Sequence, residues 1–312
     1  MSTEGGTRAV VAALSANLGI AVLKFTAFVL TRSSSMLAEA IHSLADSGNQ
    51  VLLLLGGRRA QRQPTAEHPF GYGRERYIYA FLVSIVLFSV GGLFALYEAY
   101  HKFHHVLAHP HDLGQLDGRW WWAPVVVLVG AILMEGLSFR TAINEANHTR
   151  AGVAWVQFVR RAKAPELPVV LLEDAAALVG LVFALLGVGL SLITGLGIFD
   201  AIGTALIGLL LVVVAVVLAI ETKSLLLGEA AALEVRARIA AAIEDTEGVI
   251  RIIHMKTLHL GPDELLVGAK IAVEPTEAAA DVAAAIDRAE VAVRAAEPNA
   301  RVIYLEPDVD RR

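Results

Sequence analysis

Cysteine is absent from this chain of 312 residues. Its absence excludes disulfide bonds, thiolate metal ligands and cysteine nucleophiles, and it leaves the redox compartment undetermined. Charge is also scarce: Asp, Glu, Lys and Arg make up 18% of the residues, against about 25% in typical soluble domains. The net charge of −5 provides no basic surface for nucleic acid. The sequence contains no phosphate-binding loop, so no nucleotide partner is predicted.

Apolar residues, by contrast, are abundant and unevenly placed. They make up 56% of the chain, and the mean hydropathy is +0.59. Long apolar runs fill residues 9–227, whereas residues 228–312 are charged and rich in alanine. This pattern predicts a membrane domain over residues 1–227, followed by a soluble domain over residues 228–312.

The apolar region divides into separate spans. A transmembrane helix needs roughly 20 mostly apolar residues. Six stretches meet this requirement and are called spans one to six: 9–30, 36–57, 78–100, 121–142, 168–192 and 199–220. The apolar run of span one is too long for a signal peptide, and span two follows almost at once, so we expect a retained helix.

Basic residues predict the orientation of the spans. The loop after span two and the region after span four carry ten Lys and Arg residues, while the opposite side offers three. Because short cytoplasmic loops are enriched in Lys and Arg, both termini are predicted to lie in the cytoplasm, with the spans in the cell (inner) membrane. Trp120, Trp121 and Trp122 then fall at the outer boundary, where aromatic belts occur.

The soluble tail alternates between helical and extended patterns. In chain order the predicted elements are a helix at 230–245, strands at 249–259 and 264–274, a helix at 277–296 and a strand at 301–306. Gly261-Pro262-Asp263 supplies the turn between the first two strands. The fold class is therefore an all-α bundle of six transmembrane helices followed by a cytosolic α+β domain of order αββαβ.

Several ionisable side chains interrupt the apolar spans. His42 and Asp46 lie four residues apart near the middle of span two, so they share one helix face. An ionisable residue there costs roughly 2.5–3.5 kcal/mol on insertion scales, which makes it a functional-site hypothesis. Span four carries Glu135, and span five carries Glu173 and Asp174.

These groups together indicate a binding site for a divalent cation. Carboxylates gathered in one bundle repel each other unless protons or a cation neutralise them. Imidazole nitrogen with carboxylate oxygen suits Zn²⁺, and it is also compatible with Fe²⁺, Co²⁺, Ni²⁺ or Mn²⁺. For Glu135 an ordinary hydrogen bond to a neighbouring helix explains the residue equally well. Asp200, at the start of span six, is expected to cap that helix.

Four segments then resemble one family. They are MLAEAIHSLADSGNQ in span two, HPFGYGRERY before span three, EDAAALVG in span five and FDAIGTALIG at the start of span six. Together with six spans and an α+β tail, they resemble the cation diffusion facilitator transporters over nearly the whole chain. The Glu-Asp pair in span five is similar to the branch of that family that contains a mitochondrial zinc transporter.

The resemblance implies a function and a site. It implies efflux of a divalent metal coupled to inward proton movement, by a homodimer joined partly through its tails. The protein would be a secondary transporter rather than an enzyme, with metal and protons as substrates and no permanently bound cofactor. The family pattern places the transport site at His42, Asp46 and Asp174, whereas its first position in span five falls on Val170, which cannot bind metal.

The fourth ligand stays open between Glu173, Glu135 and water. Adjacent helical residues point about 100° apart, so Glu173 and Asp174 cannot both face one ion without distortion. Glu173 could instead serve a proton relay, as could Glu135. Asn17 and Asn49 are candidates for hydrogen bonds behind the ligands, although ordinary interhelical bonding explains them as well.

Other histidines form weaker candidates. His68 matches the first position of a second family metal site, but Tyr72 replaces the second histidine, so we expect that site to be degraded. His254 and His259 are candidates for a tail site, with surface histidines the favoured interpretation. Five of the ten histidines lie within residues 101–111, where metal scavenging and a merely polar loop are equally compatible with the composition.

Two other classes of function remain as alternatives. A membrane metalloenzyme would need a motif such as H-E-x-x-H or G-x-S-x-G, and neither occurs in the sequence. A membrane metal sensor would use the tail alone, and metal-dependent dimerisation of the tail without transport would identify it.

Overall fold

A computed structural model describes residues 3–31, 34–113, 121–150 and 152–309. Within the first two helices, the side chains of residues 3–5, 30–31, 34–39 and 41–42 lie outside this description. His42 therefore has a described backbone position in a helix, but its side chain is among those not described. Trp120 also lies outside the described residues.

The described chain is helical up to residue 244 and mixed beyond it. The helices are α1 (Thr3–Thr31), α2 (Ser34–Ala60), α3 (Glu75–Val86), α4 (Phe94–Ala108), α5 (Ala123–Arg150), α6 (Trp155–Arg161), α7 (Glu166–Thr194), α8 (Ile198–Leu227), α9 (Leu233–Glu244) and α10 (Ala279–Ala296). The strands are β1 (Arg251–Gly261), β2 (Glu264–Val273) and β3 (Ala300–Val309).

Five helical segments within the described residues are long and apolar enough to cross a membrane. They are Gly6–Val29, Glu75–Ala108, Ala123–Arg150, Glu166–Thr194 and Ile198–Leu227. Helix α2 is not among the five, although it runs for 27 residues. The chain is thus a multi-pass membrane protein, and five of the six predicted spans meet this criterion.

A π-helical segment, Leu87–Leu93, joins α3 to α4. It contains the glycine pair Gly91-Gly92, and a Cβ atom on Gly92 would lie 2.6 Å from a methyl carbon of Val212 in α8. The lack of a side chain therefore lets α8 approach the segment closely. Single π-helical turns inside longer helices often occur at functional sites.

Glycines also set the spacing between α7 and α8. A Cβ atom on Gly187 would lie 2.9 Å from the carbonyl oxygen of Phe199, and one on Gly203 would lie 2.9 Å from that of Phe183. Each glycine therefore lies against the backbone of the facing helix. Small residues at helix contacts are the usual means by which membrane helices pack tightly.

The tail forms a three-stranded sheet of order β1-β2-β3 with two helices. β1 and β2 are antiparallel, whereas β2 and β3 are parallel. Side chains on one face of β2 are buried, as the sequence alternation predicts: Val267, Ala269, Ile271 and Val273. β3 continues to Val309, past its predicted end at 306, because its pairing with β2 continues through Pro307.

A charged contact links β2 and β3 on the outside of the sheet. The Nζ atom of Lys270 lies 3.0 Å from a carboxylate oxygen of Glu306 and 3.1 Å from one of Asp308. Hydrogen bonds to these two carboxylates raise the pKa of Lys270 above its ordinary value. The contact therefore favours the parallel pairing of the last strand.

The chain separates into two compact units. The first comprises residues 1–58 and 76–223, and the second comprises residues 59–75 and 224–312. The second unit thus contains the tail together with the loop Arg59–Glu75, a segment that the sequence division at residue 227 assigns to the membrane domain. Gly73 lies against the sheet, since a Cβ atom there would be 2.8 Å from the carbonyl oxygen of Leu260.

Candidate metal-binding site

Asp46 lies on a polar face of α2. It is partly exposed to a cavity inside the helix bundle, and the neighbouring turn carries the buried amides Asn49 and Gln50. The Nδ2 atom of Asn17 in α1 lies 3.3 Å from Oε1 of Gln50. Residues of α1 and α2 that the sequence separates by a loop are thus joined by a buried hydrogen bond.

Glu173 is held by the two amides of α2. Nδ2 of Asn49 donates to one carboxylate oxygen of Glu173 at 2.8 Å, and Nε2 of Gln50 donates to the other at 2.9 Å. Both oxygens therefore already accept a hydrogen bond. Asn49 thus bonds directly to a carboxylate of the candidate site, while Asn17 reaches Glu173 only through Gln50.

Asp174 faces a different helix. Its Oδ2 atom accepts a hydrogen bond of 2.7 Å from the hydroxyl of Ser138 in α5. The side chain is 1% exposed, and its Oδ1 atom has no hydrogen-bond partner among the described residues. Glu173 and Asp174 thus contact α2 and α5 respectively, as expected for neighbours about 100° apart on a helix.

Glu135 lies between these carboxylates. It is 2% exposed, within hydrogen-bonding distance of Asp174, and close enough to Asp46 and Glu173 to feel their charges. Carboxyl groups from three helices, α2, α5 and α7, therefore meet in one region of the bundle. Burying such a cluster of carboxylates raises the free energy of the folded protein unless protons or a cation balance the negative charge.

A lysine that the sequence interpretation missed lies beside the carboxylates. Lys24 of α1 is 6% exposed, lines the same cavity, and its charge acts on Glu135. A lysine within the first apolar stretch was the available signal. Gln50 and Ser138 were also missed, because amides and hydroxyls in spans are common and carry little information on their own.

The cavity has a volume of about 1100 Å³ and extends from the carboxylates to one end of the bundle. Its inner wall includes Asp46, Glu135 and Glu173, and its far part includes Glu98 and Asp200. This end is where α4 and α7 finish and α8 begins. The site is therefore connected to that end of the bundle by a cavity wide enough for water.

The opposite end of the bundle is packed. Buried apolar side chains there belong to one core cluster that includes Val10, Leu167 and Val170. A buried ion pair also joins α3 to α7, with Nε of Arg76 3.3 Å from Oε1 of Glu166. Val170, at the family position that usually binds metal, is thus part of the apolar core.

The complete ligand set lies partly outside the described residues. His42 has no described side chain, so its distance to Asp46 or Asp174 is not defined. Among the described side chains, no group of three or more His, Asp or Glu residues is spaced to hold a metal ion. The predicted site at His42, Asp46 and Asp174 accordingly stays a prediction.

Asp200 lies at the N-terminal end of α8, where an acidic side chain is favourable. The helix begins at Ile198, so Asp200 lies within the first turn. Its carboxylate lies 2.9 Å from Nζ of Lys102, which also contacts Glu98 and Thr204. The carboxylate of Asp200 therefore also forms an ion pair with a lysine of α4.

The remaining histidine candidates are dispersed. His68 is exposed and packs edge-on against Tyr72, the residue that replaces the second histidine of the family site, with ring centroids 4.8 Å apart. In the tail, His254 is exposed and His259 is half-buried. In the 101–111 segment, His105 lies 5.4 Å from His109 between ring centroids. These positions leave the secondary metal sites as predictions.

Comparison with known proteins identifies the family. Residues 10–227 match the cation efflux transmembrane domain. Over 260 residues the chain is 32% identical to the mitochondrial proton-coupled zinc antiporter SLC30A9 of Homo sapiens, covering 83% of this chain and 44% of that protein. It is 28% identical to metal tolerance protein C4 of Arabidopsis thaliana over 280 residues, covering 87% of this chain and 58% of that protein. The chain spans about half the length of these relatives.

An apolar helix bundle that surrounds buried carboxylates and a cavity defines a membrane protein of the transporter class. This chain belongs to the cation efflux family, the cation diffusion facilitators, and the predicted branch with the mitochondrial zinc antiporter is confirmed. The human relative is named as an antiporter rather than as an enzyme.

Proposed function

We propose that this protein exchanges a divalent metal ion for protons across a membrane, with Zn²⁺ as the favoured substrate. The observation that carries the proposal is the burial of three carboxyl groups in an apolar helix bundle: Glu135 and Glu173 line its cavity, and Asp174 is buried next to Glu173 in α7. Burying three carboxyl groups without a cation or protons is strongly unfavourable. The printed name of the human relative, a proton-coupled zinc antiporter, supports the same exchange.

His42, Asp46 and Asp174 are the proposed metal ligands. The free Oδ1 atom of Asp174 would bind the ion, while Ser138 fixes the orientation of the carboxylate through Oδ2. Glu173 acts as a positioning residue, because Asn49 and Gln50 occupy both of its oxygens. Glu135 is the proposed fourth ligand or proton relay, since it lies beside Asp174.

Proton coupling follows from the chemistry of the ligands. Metal binding needs ionised carboxylates and a neutral imidazole, so protons leave as the metal enters. Protons that arrive from the opposite side then compete the metal off the same groups. With the cavity open at one end and the core packed at the other, the conformation described here is assigned to one of the two states of an alternating-access cycle.

The membrane setting is part of the proposal. Helix α2 has 27 residues, or ~40 Å at ~1.5 Å per residue, which is enough to cross the bilayer as the sixth span. We place both termini in the cytoplasm of a cell whose inner membrane holds the spans, with the cavity facing outward. The active form is proposed to be a homodimer that uses the tail.

The proposal is tested by flux into proteoliposomes that contain a metal-sensitive dye, with an imposed pH gradient. We expect Zn²⁺ flux that needs the gradient and that Asp174→Asn reduces at least tenfold, because the ligand loses its negative charge. Asp287→Asn, an exposed aspartate on α10, is the matched control and should transport normally.

Each alternative has a distinct outcome. Faster flux of Mn²⁺, Fe²⁺, Co²⁺ or Ni²⁺ than of Zn²⁺ would change the substrate while keeping the mechanism. Flux that Asp174→Asn leaves intact would overturn the site. No flux of any divalent ion by folded, inserted protein would overturn the transport proposal and favour a membrane metal sensor.

A further inference from the structure

Lys24 occupies an unusual position for a lysine. It lies within the apolar span Gly6–Val29 and is 6% exposed. It shares a face of α1 with Ile20, one turn earlier, and Asn17, two turns earlier, and all three residues line the cavity. Lysines within spans are rare because they are costly, and they face the interior of the bundle where they occur. A function for the charge is therefore expected.

Acidic groups face Lys24 from the helices around the cavity. Asp46 of α2, Glu135 of α5 and Glu173 of α7 line the same cavity, and the charge of Lys24 opposes the negative charges that act on Glu135. The second cavity lysine, Lys102, lies toward the mouth and pairs with Asp200 at 2.9 Å. Lys24 is thus the inner of these two cavity-lining lysines.

We propose that Lys24 is a built-in counter-cation of the transport site, whose fixed charge balances the carboxylates when metal is absent and weakens metal binding when metal enters. This inference rests on the proposed function and deepens it. Four carboxyl groups, Asp46, Glu135, Glu173 and Asp174, would carry four negative charges if all were ionised. The positive charge of Lys24 offsets one of these negative charges.

The role has two consequences with opposite signs. The ammonium repels the arriving metal ion, so its presence keeps the affinity low enough for release. The same ammonium stabilises the empty site, so it assists the return step of the cycle. Loss of the charge should therefore tighten metal binding and slow turnover, whereas most damaging substitutions weaken binding.

The test compares Lys24→Met, Lys24→Arg and a control, Lys102→Met, in proteoliposomes with Zn²⁺. Each Met variant removes one positive charge from the cavity wall, but only Lys24→Met removes the charge that acts on Glu135. For Lys24→Met we expect the KM to fall roughly tenfold, because a positive charge that repels the metal ion is removed, together with a lower maximal rate. Lys24→Arg should retain wild-type values.

An equilibrium measurement separates binding from turnover. Competition between the detergent-solubilised protein and a zinc-chelating dye should give a dissociation constant that falls with the KM in Lys24→Met. Lys102→Met should change the dissociation constant by less than twofold. Lys24→Gln serves as a second neutral variant if Lys24→Met does not assemble.

Several results would overturn the inference. They are unchanged or weaker Zn²⁺ binding in the neutral variants, an equal effect of Lys102→Met, and failure of both neutral variants to fold while Lys24→Arg folds. If Asp174→Asn abolishes flux while Lys24→Met behaves as wild type, the transport proposal survives and only the role of Lys24 fails. Absence of flux in the wild-type protein would overturn the proposed function itself.

Discussion

Two neighbouring acidic residues in α7 make different contacts. Glu173 accepts hydrogen bonds from two amides of α2, whereas Asp174 accepts one from a hydroxyl of α5. Adjacent residues of a helix point about 100° apart, so Glu173 and Asp174 contact different neighbouring helices. One carboxylate thus connects α7 to α2, while the other connects α7 to α5 and keeps a buried oxygen atom, Oδ1, without a hydrogen bond among the described residues.

The hydroxyl of Ser138 is predicted to orient Asp174 for metal binding. Residues that hydrogen-bond to a metal ligand typically contribute roughly 10–100-fold to metal affinity. Ser138→Ala should therefore raise the KM for Zn²⁺ about tenfold or more, with folding preserved. Flux measured over a range of Zn²⁺ concentrations provides the check.

The control for this change is Ser84→Ala. Ser84 is also a buried serine of a membrane helix, but its hydroxyl donates to the carbonyl of Phe81 in the same turn. It should transport with a normal KM. Equal effects of the two alanine variants would contradict a specific role for Ser138.

At the scale of elements, close backbone contacts set the positions of the helices. Gly187 and Gly203 place α7 and α8 in direct contact, and Gly92 brings the π-helical segment against α8. The interhelical hydrogen bonds around Glu173 and Asp174 depend on α7 lying at a fixed distance from α2 and α5. Small residues at one interface therefore help to determine the geometry of the polar groups at another.

Gly203→Val should destabilise the helix bundle. Its Cβ atom would lie 2.9 Å from a backbone oxygen of α7, which cannot move aside as a flexible side chain could. Overpacking of this kind costs about 1–3 kcal/mol, so the thermal unfolding temperature in detergent should fall by several degrees. Differential scanning fluorimetry of the purified protein measures the change.

Gly189→Val is the matched control on the same pair of helices. A Cβ atom at Gly189 would meet no atom within 4 Å in the described structure. The unfolding temperature of this variant should stay close to that of the wild type. A fall as large as that of Gly203→Val would show that helix propensity, rather than contact with α7, causes the loss.

At the scale of the whole molecule, the division into units does not follow the chain. The loop Arg59–Glu75 belongs with the tail, although it lies between the first and the later helices of the membrane unit in sequence. Helix α2, which carries Asp46, thus leads directly into a segment that packs within the tail unit. Covalent continuity gives the tail a direct connection to the helix that carries two candidate ligands.

Gly73→Val should release this loop from the tail. The new side chain would lie 2.8 Å from the carbonyl oxygen of Leu260 and 3.0 Å from Cα of Gly261, so the loop must shift. Because the loop is rich in arginine, trypsin should cleave it several-fold faster at Arg59 or Arg62. Mass spectrometry of the fragments after limited digestion identifies the site.

Gly268→Val tests whether any added side chain in the tail has this effect. A Cβ atom at Gly268 in β2 would meet no atom within 4 Å in the described structure. Cleavage of the loop should then proceed at the wild-type rate. Unchanged cleavage of Gly73→Val would contradict the packing of the loop against the sheet.

The sequence alone determined the local features of this protein. The membrane helices follow from apolar runs of sufficient length, because the cost of burying charge is set residue by residue. The αββαβ order of the tail follows from alternation and turn residues, and the buried face of β2 matches it. The candidate acids were identifiable because an acidic side chain in an apolar run is conspicuous.

Only the tertiary structure decided how these residues are paired. That Glu173 bonds to Asn49, 124 positions away, and that Lys24 lies near Glu135 depends on how separate helices cross. Sequence spacing fixes the face of one helix, but it contains no information about which face of another helix meets it. Packing also gave Asp200 a partner that the sequence did not reveal, Lys102 of α4.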